Sequence, residues 1–239
     1  MSVEISVKGG LVLGIDEAGR GPIVGPMVMA AVALASRASA ALTRAGVADS
    51  KRFAGPDAHA LRAALVPRIL EHASFVALHV IDVEAIDAAC KEKGLNRLEQ
   101  HTAATMIDRA PGCRRIVCDG ARLFAPLAKR YPVLEAHDGG EDVHVAVAAA
   151  SILAKVRRDE IFAMIWQRYA ACCGLDEIPR GGGYLNDATR SFLRRIVVHL
   201  GALPPEGRHS WPWDFLGDLW PESRPRPWVT RIPQLTLAL

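Results

Sequence analysis

Two adjacent carboxylates, Asp16 and Glu17, close an apolar run (Leu11, Val12, Leu13, Ile15) and are followed by Gly19-Arg20-Gly21-Pro22. An apolar run ending in paired acids reads as a buried strand that delivers charge to a site. The turn behind it can bring backbone N–H groups and a guanidinium close to an anion, because glycine has no Cβ to block the approach. Two more acids stand in suggestive context. Asp119 ends the apolar stretch Ile116-Val117-Cys118, immediately before Gly120. Asp159 follows Lys155 by four residues and Ser151 by eight in a long helical pattern, so the three share one face. Taken alone, Asp119-Gly120 is equally a turn, and Asp159 is equally the partner of Lys155 on a surface helix. Together, two strand ends and a helix face can converge on one cleft. Such oxygen clusters hold hard divalent cations, Mg²⁺ or Mn²⁺. Two of these about 3.5–4 Å apart would clamp the attacking water and the leaving oxygen of an in-line phosphoryl displacement.

The elements that must position these groups follow from pattern. Residues 11–16 and 27–34 read as strands joined, hairpin-like, by the Gly/Pro-rich turn. Asp57–Leu70 has helical spacing, Phe75–Val83 alternates like a strand, and Asp82–Cys90 and Arg97–Arg109 read as helices broken at Gly94. Arg115–Cys118 and Val133–Ala136 are short strands, and Val143–Tyr169 is the longest helical pattern. A Gly-rich loop over 170–186 and a helix over Ala188–Leu200 follow. Mixed strand and helix order indicates an α/β domain with both parallel and antiparallel pairs. From about residue 204 Pro and Trp become dense, which divides the chain into a core at 1–203, a segment at 204–220 laid over it, and a tail at 221–239.

The chain has 239 residues, half of them hydrophobic, enough for one sizeable core. Its apolar stretches are too short or too interrupted to span a bilayer, and Met1-Ser2-Val3-Glu4 does not open a signal peptide, so the expected compartment is the cytosol. A net charge of +3 does not by itself indicate nucleic acid, but paired cations such as Arg157-Arg158 and Arg194-Arg195 suit phosphate contacts. Five irregularly spaced cysteines form neither a disulfide framework nor a zinc pattern.

The motifs resemble those of the ribonuclease HII (type 2 ribonuclease H) family, in the family's order over roughly residues 10–215. Gly14–Pro22 with Pro26 is similar to its opening, Asp49-Ser50-Lys51 to its Asp-Ser-Lys, and Ile116–Gly120 to its Asp-Gly strand. Ala148–Asp159 resembles its Ala-Ser-Ile-Leu-Ala-Lys-Val helix ending in Arg-Asp, and Arg208-His209-Ser210-Trp211 its closing motif. The resemblance implies a ribonuclease H-like mixed five-stranded sheet flanked by helices, with a small helical or irregular C-terminal region. It implies that Asp16, Glu17, Asp119 and Asp159 bind Mn²⁺ or Mg²⁺ and are catalytic. Gly19, Arg20 and Gly21 would grip the backbone at the ribonucleotide and sense its 2′-OH. Tyr184 would pack on the sugar on the DNA side of the junction, Ser50 and Lys51 would touch phosphates, and Lys155 would join them. The implied reaction cuts RNA in RNA–DNA hybrids and nicks 5′ of ribonucleotides embedded in duplex DNA, leaving 3′-OH and 5′-phosphate, by a monomer. The rival is a catalytically weak RNA/DNA-binding module with the same fold.

Two stretches depart from the family pattern. Gly182 and Leu185 flank Tyr184 where the family has Ser and Pro, which leaves the loop less preorganised. Asp138, Glu141 and Asp142 form an acidic run that either crowds the site electrostatically or, the favoured reading, caps the long helix, with His144 where lysine is common. At the C-terminus, Gln234-Leu235-Thr236-Leu237-Ala238-Leu239 resembles the Gln-Leu-x-Leu-x-Leu peptide that docks on the replication sliding clamp.

Overall fold

The structure is a computed structural model that describes residues 10–47, 53, 55, 57–174, 181–217 and 219. Its sheet has five strands: β1 (Leu11–Ala18), β2 (Met27–Leu34), β3 (Phe75–Ile81), β4 (Cys113–Asp119) and β5 (Leu134–His137), in the order β3-β2-β1-β4-β5. The β1–β2 and β2–β3 pairs are antiparallel, whereas β1–β4 and β4–β5 are parallel. The most apolar strands therefore sit at the centre, where both faces are covered, and β2 is buried along its whole length.

Strand alternation sorts β2 between two cores. Val28, Ala30, Val32 and Leu34 face the long helix α8 (Val145–Cys173), together with Leu42 of α1 (Ser36–Arg44) and Ile69 of α3 (Val66–His72). Met27, Met29, Ala31 and Ala33 join Ile86 of α4 (Val83–Lys91) and Ala103, Met106 and Ile107 of α5 (Leu95–Arg109) on the other face. A third core lies at the far end of α8. There Phe162 and Ile165 meet Phe192 and Ile196 of α9 (Asp187–Leu200), and Trp213 and Leu216 from the C-terminal segment.

The sheet and α8 meet at backbone distance. A Cβ on Gly14 would lie 2.2 Å from the Ala146 carbonyl carbon and from the Val147 nitrogen. Only glycine on β1, with the small Ala146 and Ala148–Ala150 on α8, permits this approach. That contact carries Ser151, Lys155 and Asp159 toward the strand end bearing Asp16.

One helix was not foreseen and three expectations are revised. Helix α1 has only Leu42 buried, and its Ser- and Ala-rich sequence leaves too little apolar periodicity to announce it. The helix expected over 57–70 is two, α2 (Ala58–Ala63) and α3, with Pro67 placed in the first turn of α3, where its missing N–H is harmless. The helix expected from Val143 is interrupted at His144, which is extended (φ −154°) between α7 (Gly140–Val143) and α8. The acidic run does not cap α8. His144 does so through Nδ1, accepting from the Ala146 N–H at 3.1 Å, while Asp138 accepts from the Ala121 N–H at the start of α6 (Ala121–Phe124). Glu141 and Asp142 lie in the first turn of α7 instead.

Candidate active site

Parallel pairing of β1 with β4 puts Ile15 opposite Cys118, so Asp16, Glu17 and Asp119 stand at the same end of two neighbouring central strands. Asp16 is 5% exposed, and its Oδ1 accepts the Glu17 N–H at 2.8 Å. Burial pushes its carboxyl up to about 6, opposed by a hydrogen bond from Ser151 and the charge of Lys155, and reinforced by Asp119. Glu17 is pushed further, to about 8, first by burial and then by Asp16, Glu99 and Asp119, with Arg20 opposing. Its Oε2 is buried and has no hydrogen-bond partner among the described residues. Asp119 is fixed by the Gly140 N–H, donated to Oδ1 at 2.7 Å.

Helix α8 supplies the opposite wall. Lys155 Nζ donates to Ser151 Oγ at 2.6 Å, and Glu141 Oε2 lies 3.4 Å from that hydroxyl and 3.8 Å from Nζ. Ser151 thus touches both Asp16 and Glu141. Asp159 is engaged elsewhere: its Oδ2 takes Arg62 Nη2 at 3.2 Å and faces His59 Nδ1 at 3.4 Å, both from α2. It lines the same cleft as Glu17, but among the described residues no three acids, histidines or cysteines form a ready-made metal cage. The surface pairing of Asp159 with Lys155 is not formed; each has found another partner.

The Gly-Arg-Gly turn is held from three sides. Arg20 Nε donates to both Glu99 oxygens at 3.0 Å, and Nη2 donates to Asn96 Oδ1 at 2.6 Å. Arg208, fully buried, donates to the carbonyls of Gly19 (2.5 Å), Arg20 (2.8 Å) and Gly25 (2.9 Å). Trp211 Nε1 donates to the Gly21 carbonyl at 3.0 Å. On the outer side, Tyr184 lies so close to Gly21 that a Cβ there would stand 2.9 Å from its Cε1. Tyr184 is 52% exposed, an aromatic face open to a ligand. Glu17, Gly19, Arg20, Lys155, Asp159 and Tyr184 share one cleft of about 1330 Å³.

The structure thus brings together Asp16, Glu17, Asp119, Lys155 and the turn with Tyr184. Ser50, Lys51 and the hexapeptide Gln234–Leu239 lie outside the described residues. Glu99 and Asn96 escaped the sequence reading as site residues, and Glu141 entered it only as an acid that could crowd the site, the reading set behind the helix cap. Glu99 carried a usable signal: an acid on the helix face that also bears Thr102, Ala103 and Met106 is a charge on a buried stripe and implies a partner.

Three carboxylates at neighbouring strand ends, one of them opening on a cleft with a guanidinium-bearing turn and an open aromatic, can place hard cations and a sugar-phosphate side by side. The same architecture recurs in solved structures. The chain is similar to the ribonuclease H2 of Pyrococcus horikoshii OT3 at 25% identity and a TM-score of 0.72, covering 87% of this chain and 96% of that one. It is also similar to the enzyme in the PCNA:RNase HII complex of Archaeoglobus fulgidus, at 26% identity and a TM-score of 0.71 over the same shares. Fold and site therefore define a type 2 ribonuclease H, an endonuclease of the ribonuclease H-like fold. Ribonuclease HII of Methanococcoides burtonii is 32% identical over 216 residues, 84% of this chain and 95% of that protein. Residues 13–212 match the Ribonuclease HII family, and the chain belongs to it.

Proposed function

We propose that this ribonuclease H is a metal-dependent endonuclease that cuts RNA in RNA–DNA hybrids and also nicks 5′ of single ribonucleotides in duplex DNA, leaving 3′-OH and 5′-phosphate. One observation carries the reading: Asp16, Glu17 and Asp119 interact at the ends of two neighbouring strands, and Glu17 opens on the cleft that Gly19, Arg20 and Tyr184 also line. The all-oxygen donor set and the orphaned Glu17 oxygen fit Mn²⁺ or Mg²⁺. When bound, such ions supply an activated water and neutralise charge at the phosphate. Arg20, held by Glu99 and Asn96, presents a fixed fork to the backbone. Tyr184 offers its face to a sugar. Lys155, through Ser151, orients Asp16.

Asp159 would have to abandon Arg62 and His59 to join the three acids, whereas Glu141 already shares Ser151 with Asp16. We therefore read Glu141 as the fourth carboxylate of the set, and Asp159 as a cleft-wall residue. Wild type should nick a duplex carrying one ribonucleotide when Mg²⁺ or Mn²⁺ is present. Asp16→Asn should lose about 10²–10³-fold in rate, Glu141→Gln a comparable amount, and Asp159→Asn distinctly less. Cleavage of a long hybrid alone would remove the embedded-ribonucleotide part. Failure on both substrates with both metals would favour the binding-module alternative. A stronger loss in Asp159→Asn than in Glu141→Gln would return Asp159 to the metal set.

The chain is read as acting as a monomer, for which light scattering is the test. The C-terminal Gln234–Leu239 is read as a peptide for the replication sliding clamp, in keeping with the Archaeoglobus relative found in complex with PCNA. Clamp capture should be lost on deleting residues 234–239; equal capture without them would sink that reading.

A further inference from the structure

Arg158 lies one residue before Asp159 at the base of the cleft, and it is 3% exposed. Nη2 donates to the Val24 carbonyl at 2.7 Å, and the guanidinium rests 5.2 Å above the centre of the Phe162 ring. Nε and Nη1 are buried and have no hydrogen-bond partner among the described residues. A buried guanidinium with two idle donors is costly unless an anion satisfies it. Asp159 is a nearby carboxylate, but its Oδ2 is directed at Arg62 and His59.

What covers these donors is glycine backbone. A Cβ on Gly19 would lie 2.9 Å from Nε, one on Gly182 would lie 3.3 Å from Nη1, and one on Gly183 would lie 3.2 Å from Nη2. Gly181, Gly182 and Gly183 take φ of +89°, +55° and +83°, a left-handed run that only glycine adopts freely. The turn leads directly into Tyr184.

We propose that Arg158 and the Gly181–Gly183 turn form a phosphate subsite, which takes a backbone phosphate of the nucleic acid beside the nucleotide on Tyr184. The inference rests on the nuclease reading above and extends it to a residue with no role there. The planar fork suits phosphate oxygens, and a slight lift of a turn without side chains opens Nε and Nη1 to the cleft. With glycine at 182 no side chain stands beside Nη1 when the turn lifts; a serine there would put its own side chain against Nη1 and fill the subsite.

The test uses the full chain in EDTA, so that binding is read without cleavage. Anisotropy of a short labelled RNA–DNA hybrid, and of an all-DNA duplex of the same sequence, is followed across salt concentration. Arg158→Lys and Gly182→Ser should each bind about tenfold more weakly at low salt. Gly182→Ser, which keeps the phosphate out, should also flatten the slope of log affinity against log salt by about one phosphate contact on both duplexes, whereas Arg158→Lys keeps the charge and should weaken binding at a nearly unchanged slope. Wild-type affinity and slope in both variants would overturn the proposal, and so would a loss confined to the hybrid, which indicates a ribose contact. Circular dichroism selects a temperature at which both variants are folded. If Arg158→Lys alone is unstable, Gly182→Ser decides. Failure of the nuclease reading shows separately, as wild type that binds without cutting.

Discussion

Each carboxylate at the strand ends is set by its own surroundings. Glu17 has an ordinary value of 4.5 and stands at about 8 in the metal-free fold. A folded value above the unfolded one means that its contribution to stability is complete below about 4.5 and is lost as pH rises through about 8. Metal-free protein should therefore melt lower at pH 9 than at pH 5. Glu17→Gln should recover on the order of 1–3 kcal/mol at the higher pH while abolishing cleavage. Calorimetry in EDTA at the two pH values checks this, and equal melting of variant and wild type at pH 9 would refute it. Arg208 is the opposite case, a fully buried cation each of whose three side-chain nitrogens donates to a backbone carbonyl. Arg208→Ala should cost about 3–5 kcal/mol, seen as a large fall in denaturant midpoint. Milder is Glu99→Gln, which frees Arg20 from its ion pair and should raise KM more than it lowers kcat.

Among the elements, α8 dominates, because it both covers the sheet and supplies one wall of the site. Gly14→Ala would force its Cβ into the backbone of Ala146 and Val147. Backbone cannot yield as a side chain does, so the variant should lose at least about 3 kcal/mol and be recovered mainly as insoluble protein. The start of α8 is subtler. Burial first, then Arg115 and Arg114, hold the His144 imidazole below its ordinary value, so it stays neutral and Nδ1 accepts from Ala146. A depressed histidine contributes stability above its unfolded value and loses it as pH falls. His144→Ala should cost about 1 kcal/mol near neutrality, and the gap to wild type should shrink in acid; thermal melts at pH 5 and 7.5 would show it. The strands and α8 were legible because their apolar pattern is unambiguous. Helix α1 was not, since its exposed, alanine-rich sequence has little to bury, and the break at His144 was hidden because the apolar pattern runs straight through it.

At the scale of the molecule, the C-terminal segment clasps the Gly19-Arg20-Gly21 turn. Besides Arg208 and Trp211, Asp87 of α4 accepts the His209 and Ser210 N–H groups at 2.9 Å, which ties the segment to the sheet's other face. Truncation after residue 203 should therefore abolish cleavage, whereas truncation after 220 should spare it. Single-turnover rates of the two truncated proteins make the comparison, and an active 1–203 fragment would show that the turn needs no clasp.

Sequence by itself determined the acids at two strand ends, the helix face carrying Ser151 and Lys155, and the order of motifs that marks the family. These are local facts: a period, a glycine after a charge, a short word repeated in the same order. The tertiary structure decided the rest. It turned Asp159 toward Arg62 and His59, brought Glu141 beside Ser151, and closed the Gly-Arg-Gly turn with Arg208 and Trp211 from 189 and 190 residues away. Which partner a charged side chain takes depends on what the packed core leaves within about 3 Å of it. That distance is set only when strands, α8 and the C-terminal segment have all been brought together.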